Sequence, residues 1–339
     1  MTLLVAVATV VAIVISAGGE PPASRVRAAT PRPRRATHSP VNPVNPSKPP
    51  RQTGPFAVGE TTLALVDHTR TMQLADGSTA PRTLETIVRY PALGKPDGGD
   101  EPGATPARAA GPFPLIVFGH GFAVTPALYA VMLRAWTSAG YVVAAPVFPL
   151  SNANAPGGPN ESDLPNQPAD MRFVITNLLD TAAAQSGPLQ GLIDTHEIAV
   201  MGQSDGGDTA LAVAYDPRYR DTRVDAAVIL SGAEIPGIGS YQIAPGSPPL
   251  LATQGIADTV NPPSATHAFY DSARAPKYLL QLLGATHLGP YSTEEPQLGI
   301  VERVTIAFLD RYLKGIGAGL QRMVIAGNVP GIAVLDAHP

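Results

Sequence analysis

The chain contains 339 residues, of which 44% are hydrophobic and 15% are charged, and its formal net charge at pH 7 is -4. This is enough apolar material for one large α/β domain with extensions. The small net charge argues against a nucleic-acid partner. The absence of cysteine excludes disulfides, thiolate catalysis and cysteine-ligated metals. The sequence has no His-Glu-x-x-His cluster and no glycine-rich phosphate loop, so we expect neither a metal nor a cofactor.

An uninterrupted apolar run occupies residues 3–17, close to the amino terminus. It is short for a membrane span, and small residues follow it, so we predict a signal peptide or N-terminal anchor at residues 1–19. No basic residue precedes the run, which is unusual for a secretory signal and keeps the anchor open as an alternative. The protein is therefore expected to be secreted or associated with the cell envelope.

Residues 20–55 are rich in proline and arginine and show no apolar periodicity. A segment of this composition cannot bury a core, so we predict a disordered, extended linker. Its positive charge suggests an alternative role, a tether to an acidic surface such as a cell envelope.

The predicted fold begins with two strands, at residues 62–66 and 83–90, on either side of the turn signal Asp76-Gly77-Ser78. This spacing predicts an antiparallel ribbon at the edge of a sheet. A glycine- and proline-rich loop is expected over residues 92–111. The fully apolar run at residues 115–118 is typical of a central parallel strand, and Gly119-His120-Gly121-Phe122 follows it.

Strands and helices alternate from residue 115 onward. We expect further strands at residues 141–145, 196–201, 224–230, 250–253 and 277–282, and helices at residues 126–139, 169–184, 264–273 and 300–313. This alternation predicts a mostly parallel, doubly wound sheet with helices on both faces. The domain is expected to span residues 56–325. The remaining residues, 326–339, are assigned to a C-terminal tail, although an added edge strand after Lys314 is an alternative.

The most informative motif is Gly202-Gln203-Ser204-Asp205-Gly206, which follows an apolar strand and precedes an alanine-rich helical segment. This strand–turn–helix arrangement predicts that the turn holds the Ser204 hydroxyl above the sheet edge. Glycines flank the serine because a Cβ there would crowd the reversing chain. The helix amino terminus would favour developing negative charge. The alternative is a glycine-rich loop with an incidental serine.

Two further residues complete a possible proton-transfer system with Ser204, because a serine hydroxyl needs a base to become a good nucleophile. Asp258 and His287 each lie in a loop just after a predicted strand. Such loops gather at the carboxyl ends of parallel strands. We expect His287 to accept the serine proton and Asp258 to orient the imidazole. Glu234, which follows another strand, is the rival acid.

The loop after residue 118 is expected to help bind the oxyanion of a tetrahedral intermediate. The donors would be the backbone N–H groups of Phe122 and Asp205. The His120 side chain is expected to brace this loop and not to act as a base. Phe122, Tyr129 and Phe148 are candidate apolar walls of a substrate cleft, and each of them is equally compatible with the core.

Together, the residues around His120-Gly121, the Ser204 turn, Asp258 and His287 resemble the α/β-hydrolase superfamily. Arg89-Tyr90-Pro91 and the segment at residues 166–173 are similar to the branch of platelet-activating-factor acetylhydrolases and dienelactone hydrolases, and to bacterial polyester hydrolases. The resemblance implies hydrolysis of carboxylic esters through an acyl-enzyme, without a cofactor. The short segment at residues 231–249, where cap domains are commonly inserted, predicts that a large lid is absent.

Two departures from the resemblance bear on the substrate. Asp205 would disfavour anionic leaving groups, and a dienelactone-hydrolase cysteine nucleophile is impossible in this chain. We expect activity on short to medium acyl esters, of small molecules, lipids or polyesters. The alternatives are an exported peptidase or amidase of the same fold, and a non-catalytic relative that binds the cell envelope.

Overall fold

The computed structural model describes residues 54–96, 98–236, 241, 243 and 246–339. The predicted segment 1–19 and nearly all of the predicted linker 20–55 lie outside the described residues. Within the described ranges, no helix combines the length and the apolar character that a membrane crossing needs.

The strands and helices of the described residues agree well with the predicted alternation. The strands are β1 Ala57–Gln73, β2 Thr79–Ala92, β3 Asp100–Pro102, β4 Phe113–Gly119, β5 Val142–Pro146, β6 Ile193–Gln203, β7 Ala226–Leu230, β8 Leu250–Gly255, β9 Lys277–Leu282 and β10 Ala333–His338. The α-helices are α1 Ala130–Ser138, α2 Gln167–Ala183, α3 Asp205–Tyr215, α4 Pro263–Ser272, α5 Gln297–Tyr312 and α6 Gly319–Gly327.

All of these strands join one sheet, in the order β10-β9-β8-β7-β6-β4-β5-β2-β1-β3. Six adjacent strands, β5, β4, β6, β7, β8 and β9, run parallel to one another. Strands β1 and β2 form the predicted antiparallel ribbon, and β2 continues it antiparallel to β5. The sheet is therefore mostly parallel, as the alternation of elements predicts.

The apolar runs of the central strands supply two hydrophobic cores, one on each face of the sheet. Leu115 and Val117 of β4 face one core, and Ile116 and Phe118 face the other. Successive side chains of a strand point to opposite faces, so a strand buried on both sides needs an unbroken apolar run. Residues of α2, α3 and α4 belong to the first core, and residues of α1, α5 and α6 belong to the second.

Two terminal parts of the sheet differ from the prediction. The predicted loop over residues 92–111 contains β3, which pairs in parallel with β1, so β3 and not the ribbon forms that edge. The assignment of residues 326–339 to a tail is wrong, because β10 pairs antiparallel with β9 along its whole length. The alternative of an edge strand is correct. Glycines at positions 315, 317 and 319 obscure the pattern that leads into α6 and β10.

The connection between β7 and β8 is the place where a large lid is predicted to be absent. The described residues of this connection, 231–236, 241, 243 and 246–249, form no helix or strand. Strands β4, β6, β8 and β9 run in the same direction, so their carboxyl ends, which precede the predicted site residues, lie at one edge of the sheet.

Candidate active site

Ser204 lies in a strained turn between β6 and α3. Its backbone has φ 54 and ψ -128, a conformation that a residue with a side chain rarely adopts. The Ser204 N–H donates to Leu230 O of the neighbouring strand β7 at 3.0 Å, and Ser204 O accepts from Asp208 N at 2.9 Å. These bonds hold the turn in place. A Cβ on Gly202 would collide with the Gly206 backbone, which explains the flanking glycines.

The structure brings the three predicted catalytic side chains together in one line. His287 Nε2 lies 2.9 Å from Ser204 Oγ, and His287 Nδ1 lies 2.8 Å from Asp258 Oδ2. Both are hydrogen-bonding distances. When Nδ1 carries the proton and donates a hydrogen bond to the carboxylate, Nε2 is free to accept the serine proton. This arrangement can therefore generate a nucleophilic serine.

Asp258, and not Glu234, is the carboxylate on the imidazole. The Asp258 side chain is fully buried, and its Oδ1 accepts the N–H groups of Val260 and Asn261 at 2.9 and 3.0 Å. These donors hold the carboxylate in a fixed orientation. Glu234 instead accepts the N–H of Tyr241 at 3.3 Å. Of the two acids that the sequence leaves open, only Asp258 is hydrogen-bonded to His287 in the described residues.

The backbone that follows β4 passes directly beside the nucleophile. A Cβ on Gly121 would lie 3.2 Å from Ser204 Cβ and 2.8 Å from Gln203 Oε1, so only glycine fits this approach. The Gly121 N–H donates to the Tyr129 hydroxyl at 3.2 Å. The next N–H, that of Phe122, stays the predicted oxyanion donor on this loop, together with the N–H of Asp205 at the first position of α3.

His120 is buried and links two loops of the site, as the sequence predicts for a bracing residue. Its Nδ1 lies 2.8 Å from Gly121 O, and its Nε2 accepts the Phe148 N–H at 2.9 Å. Burial lowers the pKa of His120 to about 4, against the opposing effect of the Gly121 carbonyl. The ring is therefore neutral at physiological pH, with Nδ1 as the donor. It does not contact Ser204 among the contacts of the described residues.

For two of the three candidate cleft walls, the alternative of a place in the core is correct. Tyr129 and Phe148 are both fully buried, and the Phe148 ring packs on His120 with 5.0 Å between ring centroids. The helical spacing of residues 126–139 cannot show which apolar side chains point to the cleft and which to the core. Phe122 is partly exposed and stays a candidate wall.

Sequence reasoning missed two glutamines that support the line of three side chains. Gln254 donates to Asp258 Oδ2 at 3.3 Å and to Asn261 O at 3.0 Å, which fixes the loop that carries the acid. Gln203 donates to His287 O at 3.0 Å. The position of Gln203 beside Ser204 was the available signal, whereas nothing in the sequence pattern marks Gln254.

Asp205 places a buried carboxyl next to the nucleophile. The residue is 7% exposed, and its Oδ2 has no hydrogen-bond partner among the described residues. Burial raises the pKa of Asp205 to about 6, and the charge of Glu161 adds to this effect. Burial also raises the pKa of nearby Asp208 well above its usual value. A negative charge at Asp205 is therefore costly to the folded protein.

The raised pKa predicts a pH-dependent stability difference between the wild type and Asp205→Asn. The folded state holds the Asp205 proton more tightly than the unfolded state, so this contribution to stability is complete below the unfolded pKa and is lost as pH rises through about 6. Relative to Asp205→Asn, the wild type should lose about 2–3 kcal/mol of unfolding free energy between about pH 4 and about pH 8. Urea unfolding of both proteins measures it. A difference that does not change with pH would contradict the assignment.

No group of three or more histidine, aspartate or glutamate side chains suited to hold a metal ion occurs in the part of the chain that the structure describes. The hydrogen-bonded line of Ser204, His287 and Asp258 is suited to proton transfer and nucleophilic attack.

Comparison with known proteins adds independent information on the family. The model of the chlorophyllase family matches residues 104–253, a range that contains β4 and the Ser204 turn but neither Asp258 nor His287. No curated protein matches the chain. A ferulic acid esterase from Streptomyces cinnamoneus is structurally similar, with a TM-score of 0.58 and 21% sequence identity over 77% of this chain and 91% of that chain.

The fold and these similarities agree. The match to the family model includes the turn that carries the serine, and the likeness to the esterase covers 77% of the chain. The chain has an α/β-hydrolase fold.

Proposed function

We propose that the protein is a serine hydrolase that cleaves carboxylic esters through an acyl-enzyme. The observation that carries this proposal is the continuous line from Ser204 Oγ through the His287 imidazole to Asp258, with both hydrogen bonds below 3 Å. The names of the matched family and of the similar structure, a chlorophyllase and a ferulic acid esterase, support the same reaction class.

The reaction follows from the proton acceptors and donors of the site. Ser204 Oγ attacks the ester carbonyl while its proton moves to His287 Nε2, and Asp258 stabilises the imidazolium that forms. The backbone N–H groups of Phe122 and Asp205 stabilise the oxyanion. His287 then protonates the leaving alcohol, which departs and leaves an acyl-serine. Water, deprotonated by His287, hydrolyses this intermediate and restores the serine.

The exposed side chains on the loops that carry Asp258 and His287 favour neutral, apolar esters. Ile256 and Val260 lie on the loop of Asp258, and Leu283 begins the loop of His287, and all three are exposed apolar residues. The buried carboxyl of Asp205 would repel an anionic substrate at the oxyanion site. Esters of short to medium acyl chains, including lipids and polyester segments, fit this combination.

Relative activity on an ester and on the matched amide tests the proposed reaction. We expect hydrolysis of p-nitrophenyl butyrate well above the spontaneous rate, and slower release of p-nitroaniline from butyryl p-nitroanilide. A preference for the anilide would assign the protein to the amidases. If the protein hydrolyses neither substrate and no longer acyl ester, the result would support the non-catalytic envelope-binding alternative.

We also propose that the protein is exported, on the basis of the apolar run at residues 3–17 and the basic, proline-rich segment that follows. N-terminal sequencing of protein recovered from the medium and from washed cells should show a chain that begins near residue 20. A full-length chain confined to the cytoplasm would contradict export.

A further inference from the structure

Three hydrogen bonds in a row connect the loop of the proposed oxyanion donors to the loop of the base. The Gly121 N–H donates to the Tyr129 hydroxyl at 3.2 Å, and this hydroxyl donates to Gln203 Oε1 at 2.7 Å. Gln203 Nε2 then donates to His287 O at 3.0 Å and lies 3.3 Å from His287 Nε2. The bridge, as we call Tyr129 and Gln203 together, thus joins residues that lie at the ends of β4 and β9.

The direction of each bond in the bridge is fixed by its neighbours. The Gly121 N–H can only donate, so the Tyr129 oxygen accepts from it and its proton goes to Gln203. Burial raises the pKa of Tyr129 above its usual value, which keeps the phenol protonated. With Oε1 occupied by the phenol, the amide group of Gln203 faces His287. Each member therefore has one arrangement that satisfies all its partners.

The bridge is also tightly packed and buried. Tyr129 is fully buried, and Gln203 is 1% exposed. A Cβ on Gly121 would meet Gln203 Oε1, Ser204 Cβ and the Tyr129 hydroxyl within 3.2 Å, so the three groups surround the same small space beside the nucleophile. Removal of one polar member would leave a buried donor or acceptor unsatisfied, and the loops would shift to find another partner.

We propose that Tyr129 and Gln203 are positioning residues, which hold the oxyanion loop and the His287 loop at the spacing that the reaction needs. The proposal rests on the proposed ester hydrolysis. Both side chains are buried, and they act through the backbone at Gly121 and His287 and through the contact of Gln203 Nε2 with His287 Nε2. The rate of acylation depends on having the base and the oxyanion donors in place at once, and small displacements of either group lower it.

The test compares Tyr129→Phe, Gln203→Met and the double variant on p-nitrophenyl butyrate. Each single variant should lower kcat about 10-fold to 100-fold, with KM within about twofold, because the bridge affects geometry and not ground-state binding. The double variant should be no slower than the slower single variant, since both break the same connection. Losses that multiply, or single variants with wild-type kcat, would overturn the proposal.

Tyr215→Phe is the matched control for the loss of a buried tyrosine hydroxyl. Tyr215 lies on α3, like the residues beside Ser204, but outside the site. It is 1% exposed, and its hydroxyl donates to Pro248 O at 3.0 Å. This variant should keep the wild-type kcat even if it is less stable. Stoichiometric labelling with a fluorophosphonate gives the concentration of competent sites, so a partly unfolded variant is not mistaken for a slow one. A wild type that is not labelled would reject the proposed function itself.

Hydrogen exchange provides a readout that needs no activity. In Tyr129→Phe and in Gln203→Met, the amides near Gly121 and those near His287 should both exchange faster than in the wild type, while the strands of the sheet keep their protection. Faster exchange at the altered residue's own loop alone would show that the two loops are not connected through the bridge, and would overturn the proposal. Gln203→Met supplies this answer independently if Tyr129→Phe does not fold.

Discussion

Replacement of Ser204 by alanine should lower kcat for ester hydrolysis by at least about 10⁴-fold, with little change in the free energy of unfolding. The change removes the Ser204 hydroxyl oxygen, which lies 2.9 Å from His287 Nε2 and is the proposed nucleophile, so no acyl-enzyme can form. The backbone of the turn is held by Leu230 O and Asp208 N, which alanine leaves untouched. Initial rates on p-nitrophenyl butyrate, together with urea unfolding, measure both quantities.

The acid of the site extends this prediction to a matched pair of variants. Asp258→Asn should lower kcat by about 10⁴-fold, because an amide stabilises the wrong imidazole tautomer and does not stabilise the imidazolium. Glu234→Gln, which alters the rival acid, should leave kcat unchanged. Ser204→Ala combined with Asp258→Asn should be no slower than Ser204→Ala alone, since the groups act as a unit. A larger loss in Glu234→Gln than in Asp258→Asn would contradict the assignment.

The largest effect on stability is expected from Arg82→Met. Arg82 of β2 makes two-pronged ion pairs with Asp163 and with Asp170, at 2.6–2.9 Å, and all three residues are 3% exposed or less. Burial lowers the pKa of Arg82, but the bonds and charges of the two carboxylates outweigh it and hold the pKa above its usual value. Removal of the cation leaves two buried carboxylates with too few partners, so we expect a loss of about 3–5 kcal/mol in unfolding free energy.

The matched control is Arg218→Met, because Arg218 also pairs with an aspartate in two-pronged geometry but is half exposed. Its partner is Asp216, at 2.5 and 2.9 Å. The Arg218 guanidinium is half exposed, so water competes for its charge, and we expect the pair to contribute about 1 kcal/mol or less. Urea unfolding of both variants measures the comparison. Equal losses would show that burial does not decide the strength of the Arg82 cluster.

The arrangement of strands and helices could be predicted because local patterns determine it. The apolar run of β4 needs burial on both faces, and the amphipathic spacing of α5 places Leu298, Val301 and Phe308 in one core. Strand β10 was harder to predict, since its pairing with β9 is a long-range contact and its edge position demands few apolar residues. The sequence pattern there supports an edge strand and a tail about equally.

The candidate site divides in the same way. Ser204, Asp258 and His287 were predicted because each follows a strand, and the carboxyl ends of parallel strands meet at one edge. The bridge and the Arg82 cluster were not predicted, because hydrogen bonds between residues about 80 positions apart leave no periodic signal. Tyr129 shows the limit most clearly, since the sequence leaves it open between an apolar cleft wall and the core, and does not indicate its role as a buried hydrogen-bonding group.

Covalent labelling tests the central claim, an activated serine at position 204, most directly. The wild-type protein is incubated with a fluorophosphonate, and the modified peptide is identified by mass spectrometry. We predict stoichiometric labelling at Ser204. In His287→Ala, labelling should be at least about 10³-fold slower, because the Ser204 hydroxyl then has no base to accept its proton. Labelling at another residue, or equal labelling rates in the wild type and His287→Ala, would contradict the account.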